Sequence, residues 1–302
     1  MNGPNRTATA AAQRSVHAAL TGRRHRSITA TVFMLFIMAS TAVGLIALAV
    51  LLFTVLQDGL PYLDPVLFEN GPSMDPNIAG ARPAIMASIL MAIVLVATAL
   101  PVAIGTAVYL EEFAPKDRWW IRLIELNIQN LAAIPSIIFG ILGLAFLVRG
   151  IGLGPVLLAG ALILGLQMLP TVIIATRESL RAVPDTVRQG GMALGATRLQ
   201  VVRREVLPAA IPGIATGSIL GLSRAIGETA PLLMVGAATF VSFNPGLLTQ
   251  YTVLPILIYQ WIRLPQEAFQ GLAAAAIIVL LAILISMNGF AIWMRNRFER
   301  KW

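Results

Sequence analysis

AAIPGIATGSILGLSRAIGETAPLLMVGAA, residues 209–238, is a run of thirty residues in which only Arg224 and Glu228 carry charge. A helix needs roughly 20 apolar residues to cross the hydrocarbon layer of a membrane, so this run is long enough. Its two charges fall about midway along it. A charged side chain at the bilayer centre costs from about 2.5 kcal/mol upward, so such residues face protein or an aqueous path rather than lipid. The stretch reads as one helix of a membrane bundle with a polar interior.

Five further apolar runs stand on either side of it, at 28–56, 84–110, 121–148, 155–175 and 268–294. Together the six predict an all-α, polytopic membrane protein of about six transmembrane helices, with residues 28–302 forming one membrane domain. Pro135 and Pro170 interrupt the third and fourth runs, and only the turn at 149–154 separates them, so a kinked pair is expected. Composition agrees: 57% of the chain is apolar and 12% charged, against roughly 45–50% and 25% in soluble domains.

The net charge of +8 follows from 22 basic and 14 acidic residues. Most of the basic residues fall on one side when residues 1–27, the segments 111–121 and 177–204, and the C-terminus are placed in the cytoplasm. That distribution is retention of Lys and Arg on the inner face, not a nucleic-acid footprint. The first run is far longer than the roughly 7–15 apolar residues of a secretory signal, so it reads as a retained helix. Before it, residues 1–27 are rich in Ala, Thr and Arg and read as a disordered, solvated tail. Outside the cell, 57–83 carries Asp58, Asp64, Glu69 and Asp75 against Arg82 alone, and a second segment runs from 240 to 267. Both are either docking surfaces for an external partner or solvated connections.

Arg224 and Glu228 stand four apart, which on a continuous helix puts them on one face and permits a salt bridge. A structural ion pair and a transport pathway both fit that spacing. The guanidinium stays charged and offers a planar fork of donors that matches the oxygens of phosphate, so an oxyanion is the natural substrate class. Glu228, competing for the same cation, would keep binding weak enough for release. Gly217, Gly221, Ala225 and Gly227 would let helices approach closely around the path. Glu125, Asn127, Gln129 and Asn130 form the other intramembrane polar group, suited to interhelical hydrogen bonds or pore lining.

Between the fourth and fifth runs, 177–207 is too long for a simple connection and is patterned as two short helices. Pro184-Asp185 starts the first, Gly195 ends it in a left-handed conformation, and Thr197 caps a second that runs through Val206. Pro208 then begins the fifth span. Leu199, Val202 and Val206 share one side of the second helix, an amphipathic element fitted to a protein groove or to lipid headgroups.

Several of these motifs resemble a known family. Gln189-Gly190-Gly191, then Gly195, then Leu207-Pro208 has the spacing of the EAA loop that ABC importer permeases present to their ATPase subunits. Gln, Gly and Gly replace Glu-Ala-Ala, and Glu205 replaces an Ile. Residues 224–233, RAIGETAPLL, are similar to the signature of the phosphate ABC transporter permeases of the PstA type, with support from IPSIIFG at 134–140, ESLRAVP at 178–184 and LPAAIPGI at 207–214.

The resemblance implies a type I importer permease fold with cytoplasmic coupling helices, in a bacterial cytoplasmic (inner) membrane, with both termini cytoplasmic. It implies a substrate pathway at Arg224, Glu228 and Thr229, and ATPase coupling through Gln189, Gly190, Gly191, Gly195, Leu199, Leu207 and Pro208. The implied partners are membrane lipid, a homologous second permease, two copies of an ATP-binding subunit and an extracytoplasmic phosphate-binding protein. The sequence has no Gly-x-x-x-x-Gly-Lys-Ser/Thr, and Lys116 and Lys301 are the only lysines, so ATP with Mg is expected on the partner ATPase and no cofactor on this chain.

With no cysteine, and imidazole only at His17 and His25, a metal site or a membrane-embedded catalytic centre is not expected, and the chain reads as a non-catalytic permease subunit. Sulfate or molybdate would satisfy Arg224 as phosphate does. An ion-coupled carrier, which would leave the long cytoplasmic loop unexplained, and a structural membrane scaffold are the remaining alternatives.

Overall fold

The computed structural model describes residues 28–115, 117–237 and 241–298. The expected tail at 1–27, with both histidines, lies outside the described residues, as do both lysines. Among the described residues every regular element is helical. The chain divides at Thr54 into two compact units. The first, as described, is most of helix α1, Ile28–Gly59. There the hydroxyls of Ser40 and Thr41 donate to the carbonyls of Phe36 and Ile37, each at 2.9 Å, so these polar groups are satisfied within the helix as lipid demands.

The second unit holds the rest. After the short α2, Pro65–Glu69, come α3, Arg82–Val108, and a π turn, Tyr109–Phe113. Then follow α4, Trp119–Ala132, α5, Ser136–Gly143, with a second π turn, Leu144–Gly150, and α6, Leu157–Arg181. The loop at 177–207 contains α7, Asp185–Ala193, and α8, Arg198–Val201, which passes through the π turn Val202–Val206 into α9, Leu207–Gly227. The described residues end with α10, Ala230–Val235, α11, Leu254–Ile262, and α12, Glu267–Phe298.

Helix α6 is the hub, packed against α3, α4, α5, α9 and α10. Small residues make this possible. On α9, Gly213, Gly217 and Gly221 recur every four residues, and a Cβ at these positions would run into Ser179, Ala175 and Val172 of the antiparallel α6. Such close approach replaces the hydrophobic driving force, which lipid does not supply between helices. Gly217→Val is therefore expected to cost about 1–3 kcal/mol, as overpacking does. Gly105→Ala, at a glycine with open space around it, should be neutral or stabilising. Thermal unfolding of the purified protein in detergent separates the two.

Helix α1, α3 with its π turn, α6, the continuous stretch through α8 and α9, and α12 are each long and apolar enough to cross a membrane. The expected span 121–148 is instead a broken pair: α4 and α5 meet at 106°. Pro135 has no N–H to continue the ladder and pushes Ile134 out of the helical region, so the chain turns there. Pro170, by contrast, is accommodated inside an unbroken α6. That helix runs six residues beyond its expected end at 175, to Arg181, and its last two arginines, Arg177 and Arg181, both pair with the buried Glu111.

The fifth span also departs from its expected bounds at both ends. It starts earlier, since α8 continues into α9 without a break at Pro208. It stops at Gly227 rather than running to 238. Pro231 has no N–H to offer the Gly227 carbonyl four residues back, and its ring clashes with that carbonyl in a helix. The chain leaves the helix at Glu228 and resumes as α10, which Gly236 ends at φ 89°. The segment 240–267 is more than a solvated connection: Leu254, Ile256, Leu257 and Trp261 of α11 are buried against the bundle. In 57–83, Leu67 is buried while Asp58, Asp64, Glu69 and Asp75 stay exposed.

Candidate functional site

The break between α9 and α10 positions the two intramembrane charges. Arg224 lies in the last turn of α9, and Glu228 is the extended residue that ends it. They are therefore not stacked on one continuous helix face, yet Arg224 Nε stands 3.6 Å from Glu228 Oε1. The two differ in environment: the Arg224 side chain is 66% exposed and that of Glu228 19%. Irregular backbone at membrane depth is tolerated where protein covers it or where it borders an aqueous path, and this break carries both charges.

A third polar residue joins them. Gln167, on α6, donates from Nε2 to the same Glu228 Oε1 at 3.0 Å. A cavity of about 20 Å³ lies beside these groups, between Gln167, Thr171, Gly221, Arg224 and the bend formed by Leu131 and Ile134. That is room for about one water, while the Arg224 guanidinium itself reaches out of the cavity. Thr229 is half-buried in the break, where its carbonyl accepts from the Leu233 N–H at 3.1 Å. Ser223, one residue before Arg224, ties α9 to α12 by donating to Asn288 Oδ1 at 2.7 Å.

The loop between α6 and α9 forms a second cluster. Helix α7 starts after Pro184 and ends at the left-handed Gly195, φ 84°. Thr197 then opens α8 with a capping box: its hydroxyl accepts from the Gln200 N–H, and the Gln200 side chain accepts from the Thr197 N–H. Gly191 allows α7 to lie on Val201, where a Cβ would come within 2.7 Å. Gln189, Gly190, Met192, Leu194 and Leu199 remain exposed, Leu194 at 90% and Leu199 at 62%. Leu199 thus does not share the buried side of Val202 and Val206, which Val201 occupies instead. The π turn, Val202–Val206, changes the spacing between Val202 and Val206, and both stay buried across it. Leu207 and Pro208 sit inside the continuous helix beneath the loop.

Beneath α7 lies an ion network that hydropathy did not single out. Glu111 and Glu112, on the π turn after α3, are buried. Glu111 Oε2 accepts from Arg177 Nε at 3.1 Å and pairs with Arg181 Nε at 3.0 Å, while Arg177 also reaches Glu125 at 2.6 Å. Glu125 thereby belongs to this network, and Asn127 donates to the Leu123 carbonyl of its own helix. Arg188 of α7 binds Glu112 at 2.7 Å and also donates to the carbonyls of Leu180 and Val183. The hydrogen bond that Arg188 donates to Glu112 holds its guanidinium above its ordinary pKa, against the opposing effect of burial.

Comparison with known proteins gives this geometry a context. The phosphate transport system permease protein PstA of Mycobacterium leprae is 34% identical over 217 residues, 70% of each chain. The probable ABC transporter permease protein YqgH of Bacillus subtilis is 35% identical over 172 residues, and the match spans about half of each chain, 55%. The fold is similar to a chain of a bacterial alginate ABC transporter, crystallised in complex with an alginate pentasaccharide-bound periplasmic protein. The TM-score is 0.64 at 17% identity, covering 91% of this chain and 98% of that one. A family model described as the binding-protein-dependent transport system inner membrane component matches residues 99–300, from within α3 through α12. The chain belongs to the family of binding-protein-dependent transport system inner membrane components.

Proposed function

We propose that this chain is one membrane-spanning subunit of an ATP-driven importer of inorganic phosphate, with Arg224 on the path of the anion. The observation that carries the reading is a permanently charged guanidinium, 66% exposed, at a helix break within a membrane span. Lipid does not accept such a group, so the face bearing Arg224 belongs against water or a second membrane subunit. The similarity to a phosphate transport permease supports phosphate over sulfate or molybdate, which Arg224 alone would not separate.

On this reading the chain catalyses nothing itself. ATP and Mg are bound by two copies of a cytoplasmic subunit that dock on the exposed Gln189, Gly190, Met192, Leu194 and Leu199. A homologous permease completes the pore, and an extracytoplasmic binding protein delivers phosphate to the outer face. Both termini are cytoplasmic, in keeping with the distribution of Lys and Arg. Closure of the ATPases moves α7, and the helices around Arg224 reopen inward.

The test is labelled-phosphate uptake into proteoliposomes that hold the assembled complex, binding protein and ATP, with unlabelled sulfate as competitor. ATP-dependent uptake that excess sulfate leaves unchanged is expected. An intact complex that hydrolyses ATP and imports sulfate or molybdate instead overturns the substrate assignment.

A further inference from the structure

The Gln167 amide makes one hydrogen bond and leaves its oxygen, Oε1, buried without a partner among the described residues. As packing alone a Met or Leu would fill similar space, so what distinguishes Gln167 here is its polar amide. The orientation of the amide is set by its neighbour, since turning Oε1 toward the Glu228 carboxylate would oppose two acceptors. What Gln167 does is therefore contained in one contact, Nε2 to Glu228 Oε1 at 3.0 Å.

That oxygen is also the one facing Arg224, whose Nε stands 3.6 Å away, outside hydrogen-bond range. The carboxylate thus has a short bond to α6 and a loose pairing with the cation on α9. Were Gln167 absent, Glu228 would be left with one strong partner, Arg224, and a charge-assisted bond between them would tie up the guanidinium an anion needs. We propose that Gln167 is a positioning residue of the pathway: by holding Glu228 Oε1 it keeps the carboxylate from closing onto Arg224, leaving the cation available to the passing oxyanion. This rests on Arg224 being on the path.

The experiment is a double-mutant cycle read as the KM and maximal rate of ATP-dependent phosphate uptake by the assembled complex. Gln167→Met, which keeps the length and removes the donor, is expected to lower uptake about tenfold at limiting phosphate, the worth of one bond to a charged group. In a Glu228→Gln background, where no carboxylate can close onto Arg224, the same substitution is expected to change nothing. Should Gln167→Met fail to assemble, Gln167→Asn, which withdraws the amide by one methylene, is read in the same two backgrounds. An equal loss in both backgrounds marks a packing role and overturns the proposal. Unchanged uptake in both, with Arg224→Gln inactive, overturns it while leaving the pathway intact. Full activity of Arg224→Gln removes the pathway and this inference with it.

Discussion

Phosphate uptake by the assembled transporter is expected to fall at least about a hundredfold when Arg224 is replaced by Gln, the kinetic equivalent of about 2.7 kcal/mol. The magnitude comes from what Gln lacks. It keeps an amide donor but has no charge and no fork, and charge-assisted bidentate contacts are about twice as strong as neutral ones. The structural cost of the change is small. The Arg224 side chain is 66% exposed, so its removal leaves no buried cavity, and Glu228 keeps its bond from Gln167. Uptake, complex abundance and ATP hydrolysis measured on one preparation decide the point. Arg224→Lys, which restores the charge as a point without the fork, is expected to recover part of the activity. Undiminished uptake by a well-assembled Arg224→Gln complex would show that the anion takes another route.

The spans, the two-helix loop between α6 and α9 and its caps were legible because they depend on local chemistry. Apolar length marks a membrane helix wherever it stands. Pro184, Gly195 and Thr197 act on their own backbone, and the structure has them where that logic puts them. Two departures from these local rules have other origins. The end of α9 at Gly227 was readable from Pro231, four residues on, but the long apolar run masked the signal. Leu199, Val202 and Val206 are expected on one side, but Val202 and Val206 turn inward together with Val201 while Leu199 stays exposed.

The candidate site was legible only in part. Arg224 and Glu228 announced themselves as charges in an apolar run, and their proximity survives the break that separates them. Gln167 gave no such signal: it is uncharged, sits in a different span, and meets Glu228 across 61 residues of chain. Glu112 and Arg188 are 76 residues apart and meet only because the ends of α3 and α6 are brought under α7. Charges near a membrane face ordinarily read as solvated, and here that reading fails because the pairing is tertiary. Arg177 and Arg181, four apart at the end of an apolar run, were the available hint that carboxylates would be needed nearby.

The Arg188 to Glu112 contact leads to the second large expected effect, on coupling. Arg188 stands next to Gln189 and Gly190 on the exposed α7, while its guanidinium is anchored on Glu112, 2% exposed, and on the carbonyls that end α6. One side chain thus fixes the loop to the ends of two membrane helices. If the ATPase moves α7, the displacement reaches α3 and α6 through this clamp. Arg188→Ala alone is a poor probe, because it strands a buried carboxylate at a cost of about 3–5 kcal/mol and endangers assembly. Replacing a buried pair by apolar residues of similar volume is often neutral or stabilising. The double variant Arg188→Met with Glu112→Leu is therefore expected to assemble, yet to import about tenfold less phosphate per ATP hydrolysed, since α7 is then held by non-directional packing. Simultaneous measurement of ATP hydrolysis and uptake separates the alternatives. A stable double variant with an unchanged ratio of phosphate to ATP would confine the pair to holding the fold, and the motion would have to pass through the packing of Gly191 against Val201 and the continuous helix from α8 into α9.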